Sequence, residues 1–391
     1  MKILLVSTTD IYGGAAIATN RTFDGLRKLN LNVNYFVQYK FSKGNSLIIK
    51  SKFNFIGYLK TGLDIFLSKF AKDVWSSSFF FSPNVNQILK LNPDVINLNW
   101  INNMLTVKEI EKIVNKNIIV TWTLHDMWAL QGGYHYKFEK HTGIIFRYLD
   151  NFLYKKKKKI YSRIEKKIHI ITPSNWLANE VKKSELMKNF NVTVIPYGLD
   201  TNVFYPIKNA KQKLSLNENT KYILFGAISS LNDKRKGVDL LLDALKFIPL
   251  EYEILIFGNN NTKIKLKHKV RFFGTIKEPS KLATIYSAAD IFVAPSRQDN
   301  LPNTVLEAMS CGTPVVAFNI GGMPDMIDFN TGALAKPFDT ADFSKKIIEV
   351  SHNSKLGTNA REKIVKNFTL EKNALSHLSL YEKLLNRQNI L

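Results

Sequence analysis

Two doubly wound α/β domains of Rossmann type are predicted for this chain, on three observations. Short β-branched or aromatic runs alternate with amphipathic helical stretches through both halves. A polar, lysine-rich stretch from Pro206 to Thr220 separates the two alternations and reads as an interdomain linker. The length, 391 residues, exceeds what one ordinary core organises.

In order, Lys2 to Thr8 reads as a buried strand, and Asp10-Ile11-Tyr12-Gly13-Gly14-Ala15-Ala16 as the loop after it. A helix with Ala18, Phe23 and Leu26 on its apolar face follows, and Val33 to Gln38 is the second strand. The glycine pair lets a backbone approach a phosphate closely, but it is not a dinucleotide fingerprint. From Phe41 to Phe81 the pattern loosens into a basic, aromatic-rich region. Within it Lys52 to Lys72 fits an amphipathic helix, packed on its own domain in preference to lying on a membrane surface.

Asp94 to Trp100 is a strand, and a helix capped by Thr106 runs to Val114. Ile118 to Leu124 is a strand ending in His125-Asp126-Met127-Trp128, which puts His125 where a parallel strand meets its ligand. Lys155 to Lys159, five lysines in a helical stretch, reads as a solvated face that also suits anionic lipid. His169 to Pro173 is a strand, Ser174 caps a helix to Val181, and Val192 to Pro196 is a strand.

The second alternation starts with the strand Tyr222 to Ile228 and the basic turn Asp233-Lys234-Arg235-Lys236-Gly237, which leads into a helix to Lys246. Strands follow at Glu253 to Phe257 and at Val270 to Phe273, the latter ending in Gly274-Thr275. After a helix from Pro279 to Ala289 and a strand from Asp290 to Ala294 comes Pro295 to Ala308. A helix starts there near Asn303 or Thr304 and stops at Cys311-Gly312, with Pro314 beyond. Asp299 and Glu307 thereby stand at a strand-to-helix junction, where open α/β sheets bind ligands and a helix N-terminus receives anions. Taken alone they read equally well as surface acids near a helix start. Thr369 to Leu385 is a long final helix carrying Leu375, Leu378, Leu380, Tyr381 and Leu384.

Composition narrows the function classes. The formal charge of +23 favours anionic partners, such as phosphorylated substrates, acidic headgroups or nucleic acid. No nucleic-acid motif or aromatic platform accompanies it, so no specific nucleic-acid partner is expected. A single cysteine, Cys311, excludes an intramolecular disulfide and a cysteine-based metal site. No apolar run reaches the roughly 18–20 residues of a membrane span. Met1 to Ser7 lacks the flank of a signal peptide. A cytoplasmic protein, peripheral on the inner face of the membrane, is the expectation.

Several motifs in fixed order carry a likeness. They are Gly13-Gly14, Thr123-Leu124-His125-Asp126-Met127-Trp128, Pro196-Tyr197-Gly198-Leu199-Asp200, Arg235-Lys236-Gly237, Asn300 to Glu307, and Gly312-Thr313-Pro314-Val315-Val316. Over nearly its whole length the chain resembles retaining glycosyltransferase family four, of GT-B architecture, and within it the bacterial exopolysaccharide and O-antigen enzymes. The resemblance implies an N-terminal acceptor-side domain at 1–205 and a nucleotide-sugar domain at 206–368, facing each other across a cleft. It also implies a helix at 369–391 crossing back to the N-domain. It implies transfer of a sugar from a nucleotide-diphosphate donor to a hydroxyl of a lipid-linked glycan, without metal or cofactor.

Roles carry over residue by residue. Glu307 would bond the ribose hydroxyls and Asp299 the donor sugar, with Asn300, Leu301 and Thr304 lining the donor. Lys236 and Arg235 would neutralise the leaving diphosphate, and Gly13 and Gly14 would admit it. His125 would lie near donor sugar and acceptor, and Gly274, Thr275 and Ile276 near the base. Two positions depart from the family pattern: the first acid is Asp299 instead of glutamate, and Ala227 follows Gly226 where an arginine is usual. A GT-B sugar-nucleotide epimerase is the alternative enzyme, and a basic membrane- or nucleic-acid-binding module the alternative class.

Overall fold

The computed structural model describes residues 1–52, 62, 66, 74–78, 84–136, 144–227, 233–259 and 266–390. The chain forms two compact units, one of residues 1–196 with 373–391 and one of residues 197–372. Lys52 to Lys72, read as an amphipathic helix, lies outside the described residues apart from Lys52, Gly62 and Phe66.

The first unit is built on β1 (Lys2–Thr9), β2 (Asn32–Tyr39), β3 (Ile48–Lys50), β4 (Val95–Leu98), β5 (Ile119–Thr123), β6 (Ile168–Thr172) and β7 (Asn191–Val194). Their order is β3-β2-β1-β4-β5-β6-β7, and every pair is parallel. Ile3, Leu4, Leu5 and Val6 are all within 1% of full burial, as a strand covered on both faces requires. The covering helices are α1 (Gly14–Lys28), α2 (Asn84–Lys90), α3 (Val107–Val114), α4 (Ile144–Ile164) and α5 (Asn175–Lys183). Helix α3 starts in a capping box, Thr106 accepting from the Glu109 N–H while Glu109 reaches back to the Thr106 N–H. Ser174 accepts from the Leu177 N–H at 3.1 Å and starts α5. Strand order reverses between β1 and β4, so the loops after β1, β4 and β5 crowd around one switch point.

The second unit is built on β8 (Tyr222–Ala227), β9 (Glu253–Gly258), β10 (Val270–Phe272), β11 (Ile291–Ala294), β12 (Val315–Phe318) and β13 (Gly332–Ala335). They run parallel in the order β10-β9-β8-β11-β12-β13, with the switch between β8 and β11. Helices α6 (Ala210–Lys213), α7 (Val238–Ala244), α8 (Pro279–Ala288), α9 (Asn303–Ser310), α10 (Met323–Met326), α11 (Thr340–Ser351) and α12 (Lys355–Asn367) accompany them. Helix α9 ends as read from the sequence, at Cys311 with Gly312 in the left-handed region at φ 78°.

Four features differ from the sequence reading. Strand β3 and helix α2 lie in stretches read as patternless or passed over, since three and seven residues are too short to show a period. Residues 197–205, placed with the N-terminal domain, pack in the second unit: the Arg361 guanidinium donates to the carbonyls of Thr201 and Phe204 at 2.9 and 2.6 Å. The stretch after Pro206, read as a linker, holds α6 and is tied down by Lys211, whose Nζ sits 3.1 Å from Asp290. The last helix, α13 (Leu370–Ile390), joins the first unit from Asn373 onward. Its buried face is Asn373, Ala374, His377, Leu380 and Tyr381, whereas Leu375, counted with the apolar face, is 45% exposed.

Candidate active site

In the second unit, the loop after β11 presents Asp299 to two cations. The Lys236 Nζ lies 2.6 Å and the Arg235 Nη1 3.2 Å from the same carboxylate oxygen, Oδ2. The other oxygen accepts the Asn300 N–H at 3.0 Å, so that backbone donor is already engaged within the protein. Burial by itself pushes the Asp299 carboxyl up, but Lys236 and Arg235 outweigh it and hold the group below the usual carboxylate range. Arg235 is in turn clamped by Asp233, with Nη2 at 2.9 Å from its carboxylate, and donates to the Gln298 carbonyl at 3.0 Å. Asp233 also caps the short turn of Lys234–Lys236 by accepting the Arg235 N–H at 2.9 Å.

Two glycines make the close approach possible. Gly237 has φ 68°, and a Cβ there would meet the Pro295 carbonyl oxygen at 2.0 Å. Gly321 has φ 54°, and a Cβ there would meet the Asp299 carbonyl oxygen at 1.9 Å; the same carbonyl accepts the Gly322 N–H at 3.1 Å. The basic turn and the Asp299 loop are thus pinned from both sides.

Glu307 lies in the interior of α9 and is 1% exposed. The Tyr286 hydroxyl donates to its Oε2 at 3.0 Å. Asp299 and Glu307 therefore have distinct partners, the first cations and the second a phenol. Asn300 and Leu301 are buried at 5% and 2%, and Thr304 is half-buried in the first turn of α9. Gly274, after β10, has φ 66°, and its carbonyl accepts the Gly258 N–H at 2.8 Å; Thr275 is exposed and Ile276 half-buried.

In the first unit, Gly13 caps α1 at φ 91° and Gly14 opens that helix, both at the carboxyl end of β1. The loop before them is held by Asp10. Fully buried, its carboxylate accepts the N–H groups of Phe41 and Ser42 at 2.9 Å and the Ser42 hydroxyl at 2.5 Å. These bonds outweigh burial and lower its pKa. His125 follows β5 with its Nε2 3.1 Å from Asn99 Oδ1 at the end of β4. Burial pushes its pKa down to about 4, against the pull of Asp126. Asp126 accepts from Trp100 Nε1 at 3.0 Å, the Trp128 N–H at 2.9 Å and His135 Nδ1 at 2.6 Å, and His135 Nε2 meets the Ser76 hydroxyl at 2.9 Å.

The five-lysine run is not one solvated face. Lys155, Lys158 and Lys159 are exposed, but Lys157 is 1% exposed on the opposite side of α4. Its Nζ donates to the Trp128 and Gln131 carbonyls at 2.5 and 2.8 Å and lies 3.6 Å from the Trp128 ring centroid. Burial pushes its ammonium well below the ordinary lysine range. Sequence reasoning also missed Gly321 and the final-helix residues, whose partners are distant in the chain, and Asp233, whose hold on Arg235 two residues on matters only because Arg235 reaches Asp299. Among the described residues no group of three or more His, Cys, Asp or Glu could hold a metal ion, and no helix is long and apolar enough to cross a membrane.

Comparison with known proteins supports the resemblance drawn from the motifs. Residues 222–353 match the family described as glycosyl transferases group 1. An uncharacterized glycosyltransferase of Methanocaldococcus jannaschii is 28% identical, over 55% of this chain and 59% of its own length. The lipopolysaccharide core biosynthesis mannosyltransferase of Rhizobium meliloti is 27% identical, over 49% and 61%. The chain thus spans less than two thirds of these relatives. Among solved structures, sucrose-phosphate synthase from Thermosynechococcus elongatus superposes with a TM-score of 0.76 at 21% identity, covering 99% of this chain and all of that one. An Anabaena protein, HepE, in complex with UDP-glucose has a TM-score of 0.67 at 16% identity, covering 99% and 100%. The two parallel-sheet α/β units are those of the GT-B fold.

Proposed function

We propose that the protein is a retaining glycosyltransferase that moves a sugar from a nucleotide-diphosphate donor to a hydroxyl of a growing lipid-linked polysaccharide such as O-antigen, capsule or exopolysaccharide. The observation that carries the reading is the Asp299–Lys236–Arg235 cluster at the carboxyl end of β11, one helix start away from the buried Glu307. The group 1 match over this unit and the lipopolysaccharide mannosyltransferase among the relatives support it.

Each residue has a role in that chemistry. Asp299 and Glu307 hold hydroxyls of the sugar and the ribose. Lys236 and Arg235, fixed before the donor arrives, meet the charge that grows on the diphosphate as the glycosidic bond breaks. The acceptor oxygen bonds the anomeric carbon on the face the diphosphate leaves, and a diphosphate oxygen takes the acceptor proton, so configuration is kept. No protein carboxylate acts as base, unlike the paired acids of glycoside hydrolases. The scheme needs no divalent ion, because the cations are side chains and the chain lacks an Asp-x-Asp triplet. The +23 charge and the exposed Lys155, Lys158 and Lys159 support a place on the anionic inner face of the membrane.

The test is a screen of UDP-, GDP- and dTDP-sugars by thermal shift and donor hydrolysis, on the wild type and Glu307→Gln. One nucleotide class should raise the melting point and be hydrolysed, with the rate about 100-fold lower in the variant. Glutamine still accepts from Tyr286, so the fold should survive. Quantitative epimer from donor alone would overturn the transferase assignment. Equal sedimentation with neutral and anionic liposomes would remove the membrane clause.

A further inference from the structure

A cavity of about 510 Å³ opens at the amino ends of β5, β6 and β7, with Leu384, Arg387 and Gln388 of α13 in its wall. Its volume falls within the roughly 300–1,000 Å³ of small-molecule pockets. Gly13, Gly14 and His125 stand at the other end of the same sheet, one strand length or roughly 15 Å away. Half-buried Ile118, Ile119 and Leu384 give the cavity an apolar wall. Lys166 and Lys167, which follow α4, and Arg387 bring three exposed cations, and no aspartate or glutamate lines it. Lys167 Nζ lies 2.9 Å from a neutral acceptor, Asn115 Oδ1. Among the described residues no carboxylate lies within ion-pair distance of these three, whereas Arg163, just before them, pairs with Glu111 at 3.3 Å. His169 lines the same cavity, and burial, then Lys383 and Arg387, push its pKa down to about 4. Helix dipoles offset only part of this charge. The carboxyl ends of α3, α4 and α13 meet here, each equivalent to about half a negative charge. Against the full charges of Lys166, Lys167, Lys383 and Arg387, they leave an excess of roughly two to three positive charges.

We propose that this cavity binds an organic phosphate, its phosphate group on Lys166, Lys167 and Arg387 and its apolar body against Ile118, Ile119 and Leu384. Arg387 offers a planar fork to two phosphate oxygens, and the lysines act as point charges. A nucleotide and a phospholipid both carry this chemistry. Because Arg387 belongs to α13 and the lysines follow α4, the bound molecule fastens the last helix to the rest of the first unit.

Full-length protein labelled with ¹⁵N-arginine is titrated with phenyl phosphate near neutral pH. The Arg387 Nε–H signal is followed, assigned by its loss in Arg387→Gln. It should move saturably, with a Kd of about 1 mM or below. Inorganic phosphate lacks the apolar body and benzyl alcohol lacks the charge, so each should bind about 10-fold more weakly or worse. Lys166→Gln and Lys167→Gln, both at exposed positions, should each weaken phenyl phosphate about 5-fold and leave the tryptophan-detected unfolding midpoint in place. UMP and dihexanoyl phosphatidic acid, titrated in parallel, separate the two sources, the tighter binder marking the site as one for nucleotide or for lipid phosphate. The absence of a saturable shift with phenyl phosphate overturns the site. A shift that sodium chloride reproduces at equal ionic strength is screening, and overturns it too. So does a phenyl phosphate affinity no better than that of inorganic phosphate, or one unchanged in both lysine variants.

Discussion

Mild acid should loosen the first unit, and His377 should account for a defined share of the loss. In the unfolded chain a histidine titrates near 6.5, and in the native state burial holds His377 at about 3. Between those values the unfolded state binds the extra proton. The stability His377 contributes is therefore fully present above about pH 6.5 and lost as pH falls toward the folded value. Between pH 7 and pH 5 its share of the loss is about 2 kcal/mol. The figure hardly changes for any native value below about 4, because the folded ring then carries almost no proton at pH 5. His125 and His169, both near 4, act in the same direction and remain in a His377→Asn variant. Asp10, Asp126 and Asp299, all lowered, stay ionised at pH 5 and lose their contribution only below about pH 4. All five tryptophans, at 75, 100, 122, 128 and 176, belong to the first unit, so their fluorescence follows its unfolding alone. Urea titrations at the two pH values should show the variant losing about 2 kcal/mol less than the wild type. Equal losses, within about 0.5 kcal/mol, would refute the claim that His377 is held neutral.

Other outcomes follow from the same structure. Lys236→Met leaves Asp299 with Arg235 alone and, on the proposed reading, removes a cation from the departing diphosphate; kcat should then fall about 100-fold with little change in KM, and a change in KM alone would show that Lys236 merely binds donor. Gly321→Ala forces a Cβ onto the Asp299 carbonyl oxygen, so the second unit's calorimetric transition should weaken by more than about 2 kcal/mol while the tryptophan-detected transition stays in place. Amine acetylation of the native protein, read by peptide mass spectrometry, should modify Lys155, Lys158 and Lys159 and spare Lys157 until urea opens the unit. Modification of Lys157 at the same rate would contradict its burial.

What was legible in the sequence was local. Thr106 and Ser174 announce helix starts because a cap acts within three residues, and Gly312 announces a stop because the left-handed conformation is a property of one residue. The Lys155–Lys159 run shows the limit of such reading. Composition makes five adjacent lysines alike, but a helix turns 3.6 residues per turn, and Lys157 points toward the Trp128 and Gln131 carbonyls while Lys155, Lys158 and Lys159 face water. The domain boundary misleads for a similar reason. Pro206 is the visible punctuation, yet residues 197–205 follow Arg361, which lies more than 150 positions later.

By itself the sequence determined the α/β alternation, the two units and the order of the chemistry-bearing motifs. Each of these is written in periods, caps and short motifs that act over a few residues. It also brought Asp299 and Glu307 to one strand-to-helix junction. Tertiary structure alone decided what those acids face: two cations for Asp299 and the Tyr286 hydroxyl for Glu307. Tertiary structure alone likewise joined His125, Asn99, Asn97, Tyr381 and His377 in one run of hydrogen bonds whose ends lie 252 positions apart (377 − 125). Protonation, tautomer and charge pairing depend on the nearest polar atom in space, and for a buried group that atom comes from whichever distant element packs against it.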